Sequence, residues 1–173
     1  MEYRIRAFRK ADFETLWRID QACFDPQLAY SRPELAFYMR RSTSFTLVAE
    51  SPANDASLAP GRDATADQAQ AIIGFIVAEN PRQTGHIITI DVIKAARRFG
   101  VGSALLAAAE DRLREDGAIG VELETAVNNE AAIRFYKQKG YFVEKTVRGY
   151  YSNGLDALVM GKDLAAGKRV LEG

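Results

Sequence analysis

RRFGVGSALL, Arg97 to Leu106, is the stretch whose reading decides the fold. Ahead of it runs IITIDV, Ile87 to Val92, apolar and β-branched as a strand is; after its two glycines come small residues and leucines that read as a helix. A helix start leaves backbone N–H groups without partners and carries the positive end of the helix dipole. A glycine-rich turn from strand to helix is therefore a place for an anion, and phosphate is the natural guest. Two familiar phosphate motifs fail here. The dinucleotide fingerprint G-x-G-x-x-G needs glycine where Leu105 stands, and belongs to a first βα unit, not to a loop past mid-chain. The P-loop ends in G-K-[ST], a triplet that the sequence lacks. What remains is R-x-x-G-x-G, with Arg97 and Arg98 beside the amides to add side-chain charge.

The chain around this motif has 173 residues, 47% apolar and 27% charged, enough to bury the core of one domain. Its formal charge of zero gives no global pull toward nucleic acid or an anionic membrane, so partners must be recognised locally. No apolar stretch is long enough to span a bilayer, and the opening MEYRIRAFRK is charged where a secretory signal would be apolar, so residence in the cytoplasm is expected. Cys23 is the sole cysteine, which excludes an internal disulfide and a cysteine metal cluster; it is expected to be buried as a small apolar residue. No metal site is expected.

Outward from the motif, the pattern predicts a strand at Tyr3 to Ala7, then a helix from about Asp12 to Cys23 in which Phe13, Leu16, Trp17 and Asp20 keep helical spacing. Pro26 ends that unit. A second helix has Ser31 as its cap and Pro33 in its first turn, with Leu35, Tyr38 and Met39 on the buried face. Strands follow at Phe45 to Ala49, Ile72 to Ala78 and His86 to Val92. Between the first two of these, residues 51–70 read SPANDASLAPGRDATADQAQ, poor in aromatics, and are expected to be a flexible insertion in a hairpin connection that tolerates deletion. The helix opened by Gly100 runs to about Asp116, stopped by Gly117; a strand at Val121 to Thr125 leads to a helix capped by Asn129 and ended by Gly140. Phe142 to Tyr150 and Leu155 to Lys162 form a closing hairpin around Ser152-Asn153-Gly154. The expected fold is one α/β domain, a mixed and mostly antiparallel sheet of about seven strands with helices on both faces.

IDVIKAARRFGVGSALL, taken with LETAVNNEAAIRFYKQKGYFVEKTVRGYY and IDQACFDPQLAYSRPEL, resembles the GNAT acetyltransferase superfamily. Within it the chain looks most like the protein N-terminal acetyltransferase branch that includes the ribosomal-protein alanine acetyltransferases. The resemblance spans nearly the whole chain except residues 51–70. It implies acetyl-CoA as cofactor, with the pyrophosphate on the amides of Arg98, Phe99, Gly100, Val101, Gly102 and Ser103, the charge of Arg97 beside them, and the pantetheine paired like an extra strand with the backbone near Val92. Asn129 and Tyr136 complete the implied cofactor set. Lys94 stands where the family often has proline, so a looser turn is expected after the strand.

Attack of a neutral amine on a thioester needs a base for the amine proton, an N–H for the developing oxyanion and an acid for the departing thiolate. The resemblance places Glu124 as general base, through water, Tyr136 as general acid and the N–H of Val92 at the oxyanion. As bare residues, Glu124 is equally a solvated strand carboxylate near Glu122, and Tyr136 a core aromatic. His86, the one histidine, has a base's titration range, yet beside Gly85 at a strand start it is expected at the surface. The resemblance also implies that Tyr150 and Tyr151 form a slot over the acceptor's first residues, with Phe24 and Tyr30 as the opposite wall. The expected activity is acetyl transfer to a protein or peptide N-terminus by a monomer or homodimer. An acetyltransferase of small amines and a non-enzymatic CoA-binding module are the alternatives; turnover of peptides against free amines separates them.

Overall fold

In the computed structural model, residues 1–52 and 70–165 are described; most of the expected insertion lies outside them. Seven strands form one sheet: β1 (Arg4–Ala7), β2 (Ser44–Pro52), β3 (Gln70–Glu79), β4 (Thr84–Val92), β5 (Gly120–Ala126), β6 (Phe142–Val147) and β7 (Ala157–Asp163). Four helices join them: α1 (Phe13–Cys23), α2 (Arg32–Arg40), α3 (Val101–Glu115) and α4 (Glu130–Gln138). The element order matches the one expected. The spatial order is β1-β2-β3-β4-β5-β7-β6, antiparallel throughout except for β4 and β5. A parallel pair needs a crossover, and α3 supplies it.

Apolar residues on the two faces explain why β3 reads as an almost continuous hydrophobic run. Phe75 and Val77 face α1 and α2, where they meet Leu16, Ile19 and Leu35. Ile76 and Ala78 face the other way, onto Leu105, Leu106, Ala109 and Leu113 of α3. Gly85 lets α3 sit close, since a Cβ there would lie 2.7 Å from both methyls of Leu113. Ser31 and Glu34 make a reciprocal capping box at the start of α2, and Asn129 Oδ1 accepts the N–H of Ala132 at 3.1 Å to start α4. Near the N-terminus Arg6 forks onto Asp12 (2.7 and 3.0 Å) and also binds Glu50, both carboxylates being almost wholly buried.

Among the boundaries that differ from expectation, two change the local structure. β2 and β3 extend to a last rung between Pro52 and Gln70, so the ends of the expected insertion are strand. β6 stops at Val147, three residues short of Tyr150, because Gly149 takes a φ of +60° and donates its N–H to Asp156 Oδ1 at 2.8 Å. That turn lifts Tyr150 and Tyr151 out of the sheet ladder. No helix among the described residues is long and apolar enough to cross a membrane.

Candidate active site

The site begins with a fault in the sheet. Opposite β3, Val77 pairs with Thr89 and Ala78 with Ile87, leaving Ile88 as a bulge that bends β4. At the same level the pairing of β4 with β5 ends, its last rung being Ile87 with Leu123. Past that point the two parallel strands diverge. A cleft of about 830 Å³ occupies the gap, bounded by the last residues of β4 and β5, the start of α3, α4 and the loops after α1 and β6.

Strand alternation fixes which backbone groups face this cleft. Ile93 donates its N–H to Ile73 O on β3, so Val92 presents its N–H and C=O to the opposite side. The Val92 carbonyl is taken by Arg97 Nε at 2.9 Å and by the Cys23 thiol at 3.5 Å. The Val92 N–H is left facing the gap. Cys23, expected inside the core, is instead half-buried at the edge of the cleft.

One end of the cleft is the start of α3. Gly100 caps it in the left-handed region, φ +83°, with no side chain on the first N–H groups, and Arg98 is also left-handed at φ +68°. A left-handed arginine is uncommon; together these residues shape a concave row of amides. Arg98, Gly100, Gly102, Ser103 and Asn129 border the cleft, a donor set that fits a pyrophosphate. Phe99 and Val101, expected in the same row, do not border the cleft: the Phe99 side chain is exposed and that of Val101 is buried in the core. Arg97 points its guanidinium back to Val92 and Cys23 and not along the amide row. Lys94 to Ala96 form a 3-10 turn that holds without proline, Ala96 N–H bonding Ile93 O at 2.9 Å.

Mid-cleft, His86 corrects the expectation of a surface residue. It is half-buried, with Nε2 at 2.6 Å from Glu124 Oε2 and Nδ1 at 3.6 Å from Glu79 Oε1. Burial works against a charge on the ring, but the hydrogen bond and charge of Glu124, with the charge of Glu79, outweigh it and raise His86 above its ordinary range. Glu124 is therefore neither a lone nor a simply solvated carboxylate. Tyr136 is almost wholly buried, edge-on to Phe135 and Tyr141, and burial together with the charges of Asp91 and Tyr151 pushes its hydroxyl well above the usual phenol range. It keeps its proton at any physiological pH.

The far end of the cleft is aromatic. Phe24, Tyr30, Tyr150 and Tyr151 all border it, joined by Leu28 and Tyr38, which sequence reasoning did not place there. Tyr38 had been explained by the apolar stripe of α2; nothing in its spacing signals that it also meets Tyr30, ring centroids 5.4 Å apart. Ser152 Oγ donates to Gln27 O at 3.2 Å and ties the β6–β7 loop to the α1–α2 loop.

Residues 13–141 match the family model described as the acetyltransferase (GNAT) family. The chain belongs to that family. Against an N-alpha-acetyltransferase of Sulfurisphaera tokodaii it is 41% identical over 81 residues, 46% of this chain and 48% of that protein. The chain thus spans about half the length of the curated relatives it matches. Ard1 from Thermoplasma volcanium is 27% identical, with a TM-score of 0.75 over 94% of this chain and 98% of the other. The ribosomal-protein-S18-alanine N-acetyltransferase from Escherichia coli, 19% identical, shares the fold with a TM-score of 0.74 over 99% and 100% of the two chains. In this GNAT chain the cleft between β4 and β5 is bordered together by Gly100 and Gly102 of the amide row, the His86–Glu124 pair and Tyr136.

Proposed function

We propose that this GNAT protein transfers the acetyl group of acetyl-CoA to the N-terminal α-amine of a peptide or protein. The observation that carries the reading is a cleft that joins a helix start without a side-chain cap to an aromatic mouth, with an imidazole–carboxylate pair and a buried phenol between them. The similarity to N-alpha-acetyltransferases supports the choice of acceptor.

When bound, acetyl-CoA supplies the thioester that is attacked. The amides from Arg98 to Ser103 would hold its pyrophosphate, and the exposed edge of β4 would take the pantetheine as a further strand is taken. The Val92 N–H lies ready for the oxygen that gains charge. With the ring of His86 neutral, Nε2–H donates to Glu124 Oε2, 2.6 Å away, and leaves Glu124 as the base that takes the proton of the incoming amine through water. Tyr136, a phenol that burial holds protonated, would supply the proton that a departing thiolate needs.

The base also favours an α-amine. An α-amino group titrates near 7.7–8.0 and lysine near 10.4, so a lysine costs roughly 3.4 kcal/mol more to bring to the neutral nucleophile. The mouth lined by Phe24, Leu28, Tyr30, Tyr38, Tyr150 and Tyr151 accepts a small or medium first residue. The Ser152–Gln27 tie holds together the two loops that carry Phe24, Leu28, Tyr150 and Tyr151. Incubation with acetyl-CoA and a library of peptides with free N-termini, read by mass spectrometry, tests the proposal: a mass gain of one acetyl on the α-amine supports it, and unmodified peptides with intact acetyl-CoA refute it.

A further inference from the structure

The bulge at Ile88 also chooses a neighbour for His86. Without the extra residue Glu79 would pair with Ile87; with it, Glu79 pairs with His86, and directly opposed residues of antiparallel strands share a face. Glu79 does not border the cleft and is 5% exposed, so it reaches the proposed chemistry only through the ring beside it. Its Oε1 lies 3.6 Å from His86 Nδ1 and accepts Arg41 Nη1 at 3.3 Å. Its Oε2 is 3.3 Å from Arg41 Nε but off the line of a hydrogen bond, and is buried without a hydrogen-bond partner among the described residues. Arg41 closes α2, its own N–H bonding Tyr38 O at 3.4 Å.

The ring thus stands between two carboxylates, one at each nitrogen. A neutral imidazole has one N–H and can serve one of them, whereas the cation serves both. The distances decide the neutral form: the proton stays on Nε2, 2.6 Å from Glu124 Oε2, and the Nδ1 lone pair is turned to Glu79. Glu79 then holds its charge against Arg41 alone. We infer that Glu79 is a positioning residue of the proposed reaction: held by Arg41, it occupies the Nδ1 side of His86 and governs whether the ring meets Glu124 as a cation or as a neutral donor. This rests on the reading of Glu124 as the base, since only with the ring neutral is that carboxylate free to take the amine proton.

The other groups around the ring are engaged elsewhere. Glu122, the rung partner of His86 on β5, is taken up with Glu144 of β6. On α1, Asp20 is taken by the Tyr30 N–H and the Cys23 thiol by the Val92 carbonyl. Burial raises Tyr150 and Tyr151 above the phenol range, Tyr151 to about 12, so neither brings a charge. α3 packs on the opposite face, against Gly85 and Ile87. Burial opposes a charged ring, and Glu124 and Glu79 are the groups that outweigh it.

Substitutions on the two sides of one salt bridge test this. His86, the sole histidine, gives a single imidazole titration by NMR with no acceptor present. Glu79→Gln keeps the shape and an acceptor for Arg41 but removes the charge; the His86 midpoint should fall by about one pH unit, as the loss of a charge within about 4–6 Å requires. Arg41→Met leaves the charge of Glu79 unshared, and the midpoint should rise. The increase of kcat/KM with pH should follow each shift. At about one pH unit below the wild-type midpoint Glu79→Gln should then be about fivefold more active than wild type, its ring being about half neutral instead of about a tenth. A substitution that only disturbed packing would not raise activity in acid. An unmoved or raised midpoint in Glu79→Gln, or a lowered one in Arg41→Met, overturns the inference. Midpoints that shift as stated while the kcat/KM profile stays in place overturn instead the reading of Glu124 as the base.

Discussion

His86 and Glu124, on neighbouring parallel strands, meet at 2.6 Å where the strands begin to part. The pair lies at the last point at which β4 and β5 are still held together, and it borders the cleft that opens beyond. Its protonation therefore sets whether the cleft holds an ion pair or a base.

As His86 is the one histidine, its ring protons are unambiguous in an NMR titration. The midpoint is expected above the ordinary 6.5, because Glu124 and Glu79 outweigh burial. In Glu124→Gln the midpoint should fall, since burial then has less to oppose it. Activity runs with the neutral ring, so kcat/KM should rise with pH through the wild-type midpoint. His86→Gln should lower it by roughly 10²-fold or more. A midpoint at or below 6.5 contradicts the pair.

Tyr136→Phe removes one oxygen from a packed ring and leaves the edge-on contacts with Phe135 and Tyr141. Turnover should fall about 10²–10⁴-fold with little change in acetyl-CoA affinity, because the proton is needed only as sulfur leaves. Stopped-flow turnover and calorimetry separate the two, and a wild-type kcat would exclude Tyr136 as the acid.

Gly102 faces the cleft from the first turn of α3, and a Cβ there would meet Phe135 and Val92 at 3.6 and 3.8 Å, ordinary contacts. Gly102→Ala should fold and gain about 0.5–1 kcal/mol in denaturant unfolding, as helical alanine does over glycine. Gly102→Glu places a carboxylate where the proposed site would hold the phosphates and should abolish acetyl-CoA binding. Unchanged affinity by calorimetry would remove the α3 start from the site.

Much of this was legible in the sequence, for physical reasons that differ from residue to residue. The alternation of apolar residues, the Ser31 cap and the glycines at 100, 117 and 140 act locally, so the elements and their order could be read directly. The concave amide row was legible because it is a backbone property of one turn. His86 was not, because its meaning comes from a parallel pairing across 38 residues that brings Glu124 opposite it. Glu79 was likewise opaque: it is an ordinary acid in its own segment, and only its register with His86 makes it matter. Tyr150 and Tyr151 border the cleft but not from the strand expected for them, since the Gly149 turn takes them out of the ladder.

Arg6 holds two nearly buried carboxylates, and removing it leaves both without their shared partner. Arg6→Met should cost about 3–5 kcal/mol of stability at neutral pH. Although burial opposes ionisation of Asp12 and Glu50, hydrogen bonds from the arginines prevail and lower both groups. Their stabilisation is present above the unfolded carboxyl range and is lost as pH falls through the lowered folded values. The gap between variant and wild type should accordingly shrink in acid. Urea unfolding at neutral pH and at about pH 3 checks this; an equal gap at the two values would contradict the network.

The most direct test of the acceptor uses two peptides of matched length with acetyl-CoA, one with a free N-terminus and no lysine, the other N-blocked with one internal lysine. Mass spectrometry at early times gives the two rates. Faster acetylation of the free α-amine is the predicted result, and faster acetylation of the blocked peptide would contradict the account.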